Sequence, residues 1–277
     1  IKKLDKKYDK IYFSGIAFNS TQVKKDYIFF AIKGKKFDGN KYISDAINKG
    51  AKIIISKKDI KLNNKNIIIL RNNNPRKLLA ETSFKLIKKK PKNFVAVTGT
   101  NGKSSVADFY YQILNLNKKK ATAIGTIGVQ LNNKKKLVEN TTLDPIKLRE
   151  IINYLSTKKV NNIILEASSH GLKQNRLDGL FFDIGIFTNF SHDHLDYHKN
   201  FKDYLKSKLY LFKHLIKKKG YLIVDSTISQ FKEIEKIANK KKLKLETVFG
   251  KKSNLELISH KYKNEQQILK IKYKSKI

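Results

Sequence analysis

The chain has 277 residues, of which 40% are hydrophobic, a length that suits one large domain or two of ordinary size. It contains no cysteine, which excludes a disulfide framework and a thiolate metal site. No apolar run approaches membrane-spanning length and the first residues lack the apolar region of a signal peptide, so we expect a cytoplasmic protein with no membrane partner.

The formal net charge of +37 is of the kind found in nucleic-acid-binding proteins. The lysines, however, are spread along the whole chain and accompany many isoleucines and asparagines, which is typical of an AT-rich genome. The basic runs fall at element ends or in loops, at residues 88–90, 118–120, 134–136 and 217–219. We therefore expect solvated lysines and no specific nucleic-acid partner, although the positive field would attract anionic substrates such as nucleotides.

The first part of the chain predicts a small α/β domain over residues 1–91. Its predicted elements are a strand at 27–32, a helix at 42–48, short strands at 53–55 and 67–70, and a helix that Pro75 opens and that runs to residue 87. Pro91 then marks the boundary to a second domain.

From Phe94 onward, apolar strands alternate with helices, which is typical of a doubly wound, mostly parallel sheet. This second domain takes residues 92–277, with strands predicted at 94–97, 121–125, 162–165, 182–187 and 221–224. The chain begins with Ile1 instead of methionine and ends just after a strand-like pattern. We therefore expect it to be part of a longer enzyme.

A phosphate-binding loop is predicted at residues 98–105, with the sequence Thr-Gly-Thr-Asn-Gly-Lys-Ser-Ser. A strand, a glycine-rich turn, a Lys-Ser pair and a helix together cradle a phosphate, whose oxygens meet backbone N–H groups. Lys103 reaches the terminal phosphates in such a loop, and the Ser104 hydroxyl holds Mg²⁺. An ordinary turn that carries a lysine is the weaker interpretation, because an apolar stripe follows on the helix. This stripe consists of Val106, Phe109, Tyr110, Ile113 and Leu114.

Polar residues stand just past three of the predicted strands, namely Gly99, Glu166 and Asn189. Ligands of open α/β sheets bind outside the carboxyl ends of the strands, so these residues should converge. A Mg²⁺ ion that bridges phosphate oxygens needs one or two carboxylates, and Glu166 fits that role. The alternative is an acid near a helix N-terminus, since Ser168 and Ser169 follow.

The segment at residues 191–198 concentrates three of the six histidines and two acids. It could be a zinc site, a polar loop with one catalytic or Mg²⁺-binding histidine, or a solvated loop without a task. Its place at a strand end argues against the solvated loop, and the phosphate loop favours Mg²⁺ over zinc.

Lys208 lies on the apolar stripe of a helix that Asn200 caps. The stem of such a lysine usually snorkels to solvent, and from the residues alone this is the favoured interpretation. Desolvation, however, favours the neutral amine, which can capture CO₂ as a carbamate and become an anionic ligand.

Several blocks of residues resemble the Mur ligase superfamily, which includes the folylpolyglutamate synthetases. The phosphate loop at 98–105 indicates only the superfamily. Further blocks resemble its MurE-type members, the muramyl-tripeptide synthetases: Asn140-Thr141-Thr142 with Asp144-Pro145, Glu166-Ala167-Ser168-Ser169-His170-Gly171-Leu172 with Gln174 and Arg176, and Thr188-Asn189 leading into Asp193-His194-Leu195-Asp196-Tyr197-His198. The resemblance covers nearly the whole chain, including an N-terminal uridine-nucleotide domain.

The resemblance implies a role for individual residues. It assigns ATP to the loop residues Gly99, Thr100, Asn101, Gly102, Lys103, Ser104 and Ser105. It assigns the UDP-muramyl dipeptide to Asn140, Thr141, Thr142, Ser168, Gln174 and Arg176, and in the N-terminal domain to Phe18, Ser20, Lys35, Lys36 and Phe37. It assigns the binding of two Mg²⁺ ions to Ser104, Glu166, His194 and Lys208. Lys208 matches a lysine that the family carries as a carbamate. The implied catalytic set is Lys103, Glu166, His194 and Lys208.

The implied reaction is an ATP-dependent amide ligation in peptidoglycan precursor synthesis. ATP phosphorylates the free carboxylate of D-glutamate in UDP-N-acetylmuramoyl-L-alanyl-D-glutamate, and the amine of a diamino acid attacks the acyl phosphate. Family members carry a third, C-terminal domain that selects the amino acid, so meso-diaminopimelate and L-lysine both stay open. The resemblance further implies a monomer, and a 277-residue chain that is inactive alone.

Three other functions stay open. A folylpolyglutamate synthetase shares the phosphate loop but does not need the Asn-Thr-Thr and Ser-Ser-His-Gly-Leu blocks. A nucleic-acid-dependent ATPase would explain the positive charge, but it would not explain the three histidines at residues 191–198. The chain could also be a nucleotide-binding fragment without catalysis.

Overall fold

The computed structural model describes residues 12–34, 37–61, 64–132, 134–250 and 252–274. The chain forms two compact units, Ile1–Leu86 and Ile87–Ile277. Within the described ranges, no helix is long and apolar enough to cross a membrane.

The first unit is built on a four-stranded parallel sheet with the strand order β1-β2-β3-β4. Its elements are β1 (Gly15–Ala17), β2 (Tyr27–Ala31), α1 (Ile43–Asn48), β3 (Ala51–Ser56), β4 (Ile68–Arg71) and α2 (Pro75–Lys85). Buried apolar side chains form its core, among them Ala17, Phe29, Ala46 and Ile54. The predicted elements are confirmed, including the start of α2 at Pro75, whereas the short strand β1 was not predicted.

The second unit is built on a ten-stranded sheet with the order β14-β13-β12-β11-β10-β5-β9-β6-β7-β8. The strands from β13 to β6 in this order run parallel, and the outer pairs β13–β14, β6–β7 and β7–β8 are antiparallel. The prediction of an α/β fold with a mostly parallel central sheet is therefore confirmed.

The elements of the second unit alternate along the chain. The strands are β5 (Asn93–Thr98), β6 (Ala121–Gly125), β7 (Gly128–Leu131), β8 (Lys134–Lys136), β9 (Asn162–Glu166), β10 (Phe182–Phe187), β11 (Ile216–Asp225), β12 (Lys244–Val248), β13 (Leu255–Lys263) and β14 (Gln266–Tyr273). The helices are α3 (Lys103–Leu116), α4 (Pro145–Thr157), α5 (Ser169–Lys173), α6 (Phe201–Tyr210), which continues as a π-helical turn to Leu215, and α7 (Phe231–Lys241). All five predicted central strands are confirmed.

The predicted apolar stripe of α3 is wrong at two positions. Phe109 and Ile113 are 60% and 58% exposed. The buried residues of this helix are Ala107 and Tyr111, which join the core cluster formed with β5, β6 and β9. The small side chain of Ala107 lets the helix approach the sheet closely, and hydrophobicity alone gives that residue less weight than its larger neighbours.

The carboxyl ends of four strands meet at one edge of the central sheet, because β10, β5, β9 and β6 are parallel neighbours in that order. Gly99 follows β5, Thr126 follows β6, Glu166 closes β9, and Thr188 and Asn189 follow β10. The predicted convergence of the phosphate loop, the acid and the polar segment after β10 is confirmed.

Candidate functional site

The phosphate loop is hydrogen-bonded to the residues that follow β10. The backbone N–H of Thr188 donates to Thr98 O at 3.0 Å, and its hydroxyl donates to Asn101 O at 2.6 Å. The N–H of Asn101 donates in return to the side-chain oxygen of Asn189 at 2.8 Å. Gly99 has a φ of +148°, and a Cβ there would overlap the Thr188 side chain, so this position requires glycine.

Helix α3 begins directly after the loop and directs its N-terminus into the site. Its N-cap is Gly102, with a φ of +79°, and among the described residues no side chain caps the helix. The N–H groups of the first turn are therefore left for another acceptor, and the helix dipole adds positive potential there. This arrangement suits a phosphate group.

A cavity of about 340 Å³ lies in front of this N-terminus. It brings together the loop, the residue after β6, the residues around the start of α5, the histidine segment and helix α6. Its walls are formed by Thr100, Asn101, Gly102, Lys103, Ser104, Ser105, Thr126, Thr141, Ser168, Ser169, Asp193, His194 and Lys208.

Two lysines meet on one carbonyl oxygen beside the loop. Lys103 Nζ donates to Gly99 O at 3.1 Å and to Thr100 O at 2.7 Å, and Lys208 Nζ donates to Gly99 O at 2.5 Å. Burial lowers the pKa of both side chains, and the neighbouring charge of Lys103 helps to bring the pKa of Lys208 to about 7. A large fraction of Lys208 is therefore neutral near pH 7.

Lys208 does not snorkel. Its side chain is 1% exposed, and Nζ lies inside the site, 4.4 Å from the ring centroid of Tyr204. The interpretation that the residues alone favoured, a stem leading to a solvated charge, is therefore wrong. The loop carbonyl of Gly99 provides an internal acceptor that the helical pattern could not reveal.

The Glu166 carboxylate is 1% exposed and is held by three hydrogen bonds. Ser104 Oγ donates to Oε2 at 2.9 Å, and Thr126 donates from its backbone N–H to Oε1 at 2.9 Å and from its hydroxyl to Oε2 at 3.2 Å. The side chain packs over Gly125, where a Cβ would overlap it. A buried carboxylate beside the loop serine is the pair that holds Mg²⁺ in phosphate-loop proteins.

The three histidines of the segment at 191–198 have different surroundings. His194 lines the cavity and contacts the ring of His170 edge-on, with centroids 5.0 Å apart. His192 stacks on Phe201 with centroids 4.3 Å apart. His198 is buried, and its Nε2 lies 3.0 Å from Ser169 Oγ.

Burial also lowers the pKa of His198, so its neutral form prevails near pH 7. In the described part of the chain, no group of three or more His, Cys, Asp and Glu side chains is arranged to hold a metal ion. The zinc alternative therefore finds no ligand set there. His194 is the histidine of this segment that the structure brings to the phosphate loop.

The residues assigned to the acceptor substrate separate into two groups. Thr141 and Ser168 line the cavity. Thr142 is 1% exposed, and its hydroxyl donates to Glu166 O at 2.8 Å and accepts the N–H of Ser168 at 2.9 Å. Thr142 therefore shapes the backbone around the site instead of facing the cavity.

Three further assigned residues lie outside the cavity walls. Asn140 is exposed. Arg176 donates from Nη1 to Thr142 O at 2.5 Å and from Nε to Gln174 Oε1 at 3.1 Å. Gln174 also donates to the Tyr197 hydroxyl at 3.1 Å. Arg176 thus links the turn after α5 to the segment before α4, and Gln174 links it to the segment at 191–198.

The assigned residues of the first unit have mixed exposure. Phe18 is half-buried and Ser20 is 4% exposed. Hydrogen bonds from the Lys49 ammonium and the Ser20 hydroxyl lower the pKa of the Asp45 carboxyl. Phe37 is 70% exposed. Lys35 and Lys36 lie outside the described residues.

Sequence reasoning missed two functional neighbours of Glu166. Thr126 bonds both of its carboxylate oxygens, and Gly125 gives it room. The signal was present, because both residues follow the predicted strand at 121–125, and the carboxyl-end rule applies to that strand as well.

Comparison with known proteins places this site in a family. The profile of the "Mur ligase middle domain" matches residues 97–277, and the profile of the "Mur ligase family, catalytic domain" matches residues 12–85. The UDP-N-acetylmuramoyl-L-alanyl-D-glutamate–2,6-diaminopimelate ligase of Rickettsia montanensis is 41% identical over 250 residues, which are 88% of this chain and 51% of that protein. The ligase of the same name from Chelativorans sp. (strain BNC1) is 36% identical over 264 residues, or 95% and 54% of the two chains.

The chain thus spans about half the length of the curated relatives it matches. A solved structure of a UDP-N-acetylmuramoyl-L-alanyl-D-glutamate–2,6-diaminopimelate ligase aligns with a TM-score of 0.84 at 24% identity, over 95% of this chain and 54% of that one. The MurF ligase of Thermotoga maritima in complex with ADP aligns with a TM-score of 0.61 at 19% identity, over 94% and 56% of the two chains. These alignments show a shared fold. Because the middle-domain profile matches more than half of its residues, the chain belongs to the Mur ligase family.

Proposed function

We propose that this chain is the ATP-binding part of a MurE-type ligase, which adds a diamino acid to UDP-N-acetylmuramoyl-L-alanyl-D-glutamate in peptidoglycan precursor synthesis. The names of its relatives support this reaction and favour 2,6-diaminopimelate as the added amino acid. The observation that carries the proposal is the buried Glu166 carboxylate, which accepts the hydroxyl of the loop residue Ser104 beside the N-terminus of α3.

The residues present fit ATP and Mg²⁺. The uncapped first turn of α3 and the loop Gly99 to Ser105 would hold the phosphates, with Lys103 as a counter-charge. Ser104 and Glu166 would hold Mg²⁺, together with His194 and Lys208. When bound, the ion would reduce the repulsion between the negative charges of the ATP phosphates and of the D-glutamate carboxylate. The Ser104 hydrogen already points to Glu166, so both lone pairs of its oxygen are left for a cation.

Lys208 would contribute as a carbamate. Its buried amine, with a pKa of about 7, is neutral often enough to react with CO₂. The carbamate would replace a cation that repels Mg²⁺ with an anionic oxygen ligand, which hard cations prefer. It would also end the competition of two amines for one acceptor, since Lys103 and Lys208 both donate to Gly99 O.

The acceptor substrate would lie against Thr141 and Ser168, which line the cavity on the side of β6 and α5. Arg176, held by Gln174, would orient the dipeptide carboxylates. Asn140 would contact the substrate from outside the cavity wall, and Thr142 would hold the backbone of Glu166 and Ser168 in place. Phe18, Ser20, Lys35, Lys36 and Phe37 would bind the uridine nucleotide. The reaction then proceeds by phosphorylation of the D-glutamate carboxylate and attack of the amine on the acyl phosphate, with loss of phosphate.

Isothermal titration of the 277-residue chain tests this proposal. We expect it to bind the non-hydrolysable ATP analogue AMPPNP more tightly with Mg²⁺ than with EDTA, and to bind the UDP-muramyl dipeptide weakly. Glu166→Gln should abolish the Mg²⁺-dependent gain, whereas Glu150→Gln, an exposed control on α4, should keep it. We expect no tripeptide from this chain alone, because closure by a further domain completes such sites.

Two results would contradict the proposal. Binding of a folate in place of the UDP-muramyl dipeptide would favour the folylpolyglutamate synthetase alternative. A Glu166→Gln variant with wild-type Mg²⁺ dependence would remove the assigned metal ligand.

A further inference from the structure

Thr126 is the one residue in the described part of the chain that hydrogen-bonds both oxygens of the Glu166 carboxylate. It follows β6 and stands at the cavity wall. Its backbone N–H donates to Oε1 at 2.9 Å, and its hydroxyl lies 3.2 Å from Oε2. Neither the sequence motifs nor the family comparison assigns it a role.

The hydroxyl of Thr126 also lies 3.0 Å from that of Thr141. A hydroxyl has one hydrogen to donate and can accept as well. Thr126 donates its one hydroxyl hydrogen to Glu166 Oε2, so in the bond between the two hydroxyls Thr141 donates to Thr126. One directed chain of hydrogen bonds therefore runs from Thr141 through Thr126 to Glu166, and Ser104 meets the same Oε2 from the phosphate loop.

These bonds fix the orientation of the carboxylate. Oε1 is held by the backbone of Thr126, and Oε2 receives two hydroxyls, that of Ser104 from the phosphate loop and that of Thr126 from the end of β6. The Glu166 side chain also lies against Gly125. A carboxylate held in this way has little freedom to turn, and such pre-organisation strengthens the binding of a cation.

We propose that Thr126 is a positioning residue, which orients Glu166 for the divalent cation and connects that carboxylate to Thr141 on the acceptor side. This inference rests on the proposed function, since the cation is the one that accompanies the nucleotide. Thr126 itself acts through Glu166 and needs no contact with the nucleotide.

The hydroxyl and the backbone of Thr126 can be tested separately. Thr126→Val has nearly the same shape and keeps the N–H bond to Oε1, but it loses the hydroxyl. Thr126→Ser keeps both donors. Thr157→Val is the matched control, because Thr157 is exposed at the end of α4, where its hydroxyl bonds to Tyr154 O.

AMPPNP is titrated into each chain with Mg²⁺ and with EDTA. We expect Thr126→Val to weaken binding about tenfold with Mg²⁺, the effect of losing one hydrogen bond to a charged group, and to leave binding in EDTA unchanged. Thr126→Ser and Thr157→Val should keep the Mg²⁺ dependence of the wild-type chain. Thr141→Val should weaken Mg²⁺-dependent binding less, because it removes only the outer bond of the chain.

Thermal melting without ligand shows whether Thr126→Val has lost its fold. A melting temperature close to that of the wild-type chain means that weaker binding is not caused by unfolding. If Thr126→Val weakens binding equally in Mg²⁺ and EDTA, or if Thr126→Ser is as impaired as Thr126→Val, the hydroxyl has no positioning role and the inference is wrong. A Thr126→Val chain with full Mg²⁺ dependence overturns it as well. If the wild-type chain itself binds no AMPPNP, the proposed function fails and this inference with it.

Discussion

At the scale of single residues, the site is organised around ionisable side chains that are buried away from water. Lys103 and Lys208 both donate to Gly99 O, and burial lowers the pKa of each. Glu166 is as deeply buried as Lys208, but its carboxylate accepts three hydrogen bonds. Two buried amines that share one acceptor cost stability, and groups with shifted pKa values in a polar cavity are typical of a binding or catalytic site.

The lowered pKa of Lys208 predicts a pH dependence of stability. The folded chain has a pKa of about 7 at this amine, against 10.5 without the fold, so between these values the unfolded chain holds more protons. The free energy of unfolding should therefore rise with pH there, by at most about 1.4 kcal/mol per pH unit. In Lys208→Met this contribution is absent, and urea unfolding from about pH 7 to about pH 9 should show a smaller rise than in the wild type. Equal slopes for both chains would contradict the assignment.

The proposed carbamate at Lys208 predicts a chemical rescue. In a ligase of the proposed type that contains this chain, Lys208→Ala should lose activity because it removes the proposed anionic ligand, and acetate should restore part of it by occupying the same place. Lys208→Arg should be inactive without rescue, since arginine stays charged and forms no carbamate. Rates of phosphate release with and without acetate provide the measurement. An arginine variant with wild-type rates would exclude the carbamate.

At the scale of elements, helix α6 sets the position of Lys208, and its N-cap stabilises that helix. Asn200 has extended backbone angles, and its side chain accepts the N–H of Asp203 at 2.9 Å, as the sequence predicts for a cap. Asn200→Ala should lower the free energy of unfolding by about 1 kcal/mol, whereas Asn200→Ser should lower it much less. Urea unfolding measures both, and an alanine variant as stable as the wild type would show that the cap contributes nothing.

The elements were predicted well where the local pattern is strong. Apolar runs bounded by turns identified the central strands, and Pro75 and Asn200 identified two helix starts. The pattern failed where packing decides: it favoured Phe109 over Ala107 on α3, because periodicity cannot tell which side of the helix lies closest to the sheet.

The site was predicted in part for the same reason. The carboxyl-end rule brings Gly99, Glu166 and Asn189 to one edge from the predicted parallel arrangement of the strands alone. It does not tell which histidine faces the cavity, nor that Lys208 finds a carbonyl inside the fold. Those facts depend on contacts between residues far apart in the chain, and no local pattern encodes them.

At the scale of the whole molecule, the charge of +37 is large enough to influence every anionic ligand. A dispersed charge of this kind attracts polyanions without orienting them, whereas the phosphate loop offers directed N–H donors and a buried carboxylate–hydroxyl pair. Nucleotide affinity should therefore come from specific contacts. Affinity for nucleic acid should come from charge attraction alone and should vary strongly with ionic strength.

This difference predicts the response to salt. Binding of duplex DNA to the 277-residue chain should show no sequence preference and should be weaker than about 1 µM at physiological salt. Its affinity should fall steeply as salt rises, because it comes from the release of counterions. Affinity for AMPPNP with Mg²⁺ should fall far less over the same range, since the proposed contacts lie inside a cavity, where salt screens charges less than at the surface. Fluorescence anisotropy with labelled DNA, beside calorimetry with the nucleotide, measures both, and tight sequence-specific DNA binding at physiological salt would show that the lysines form a true nucleic-acid surface.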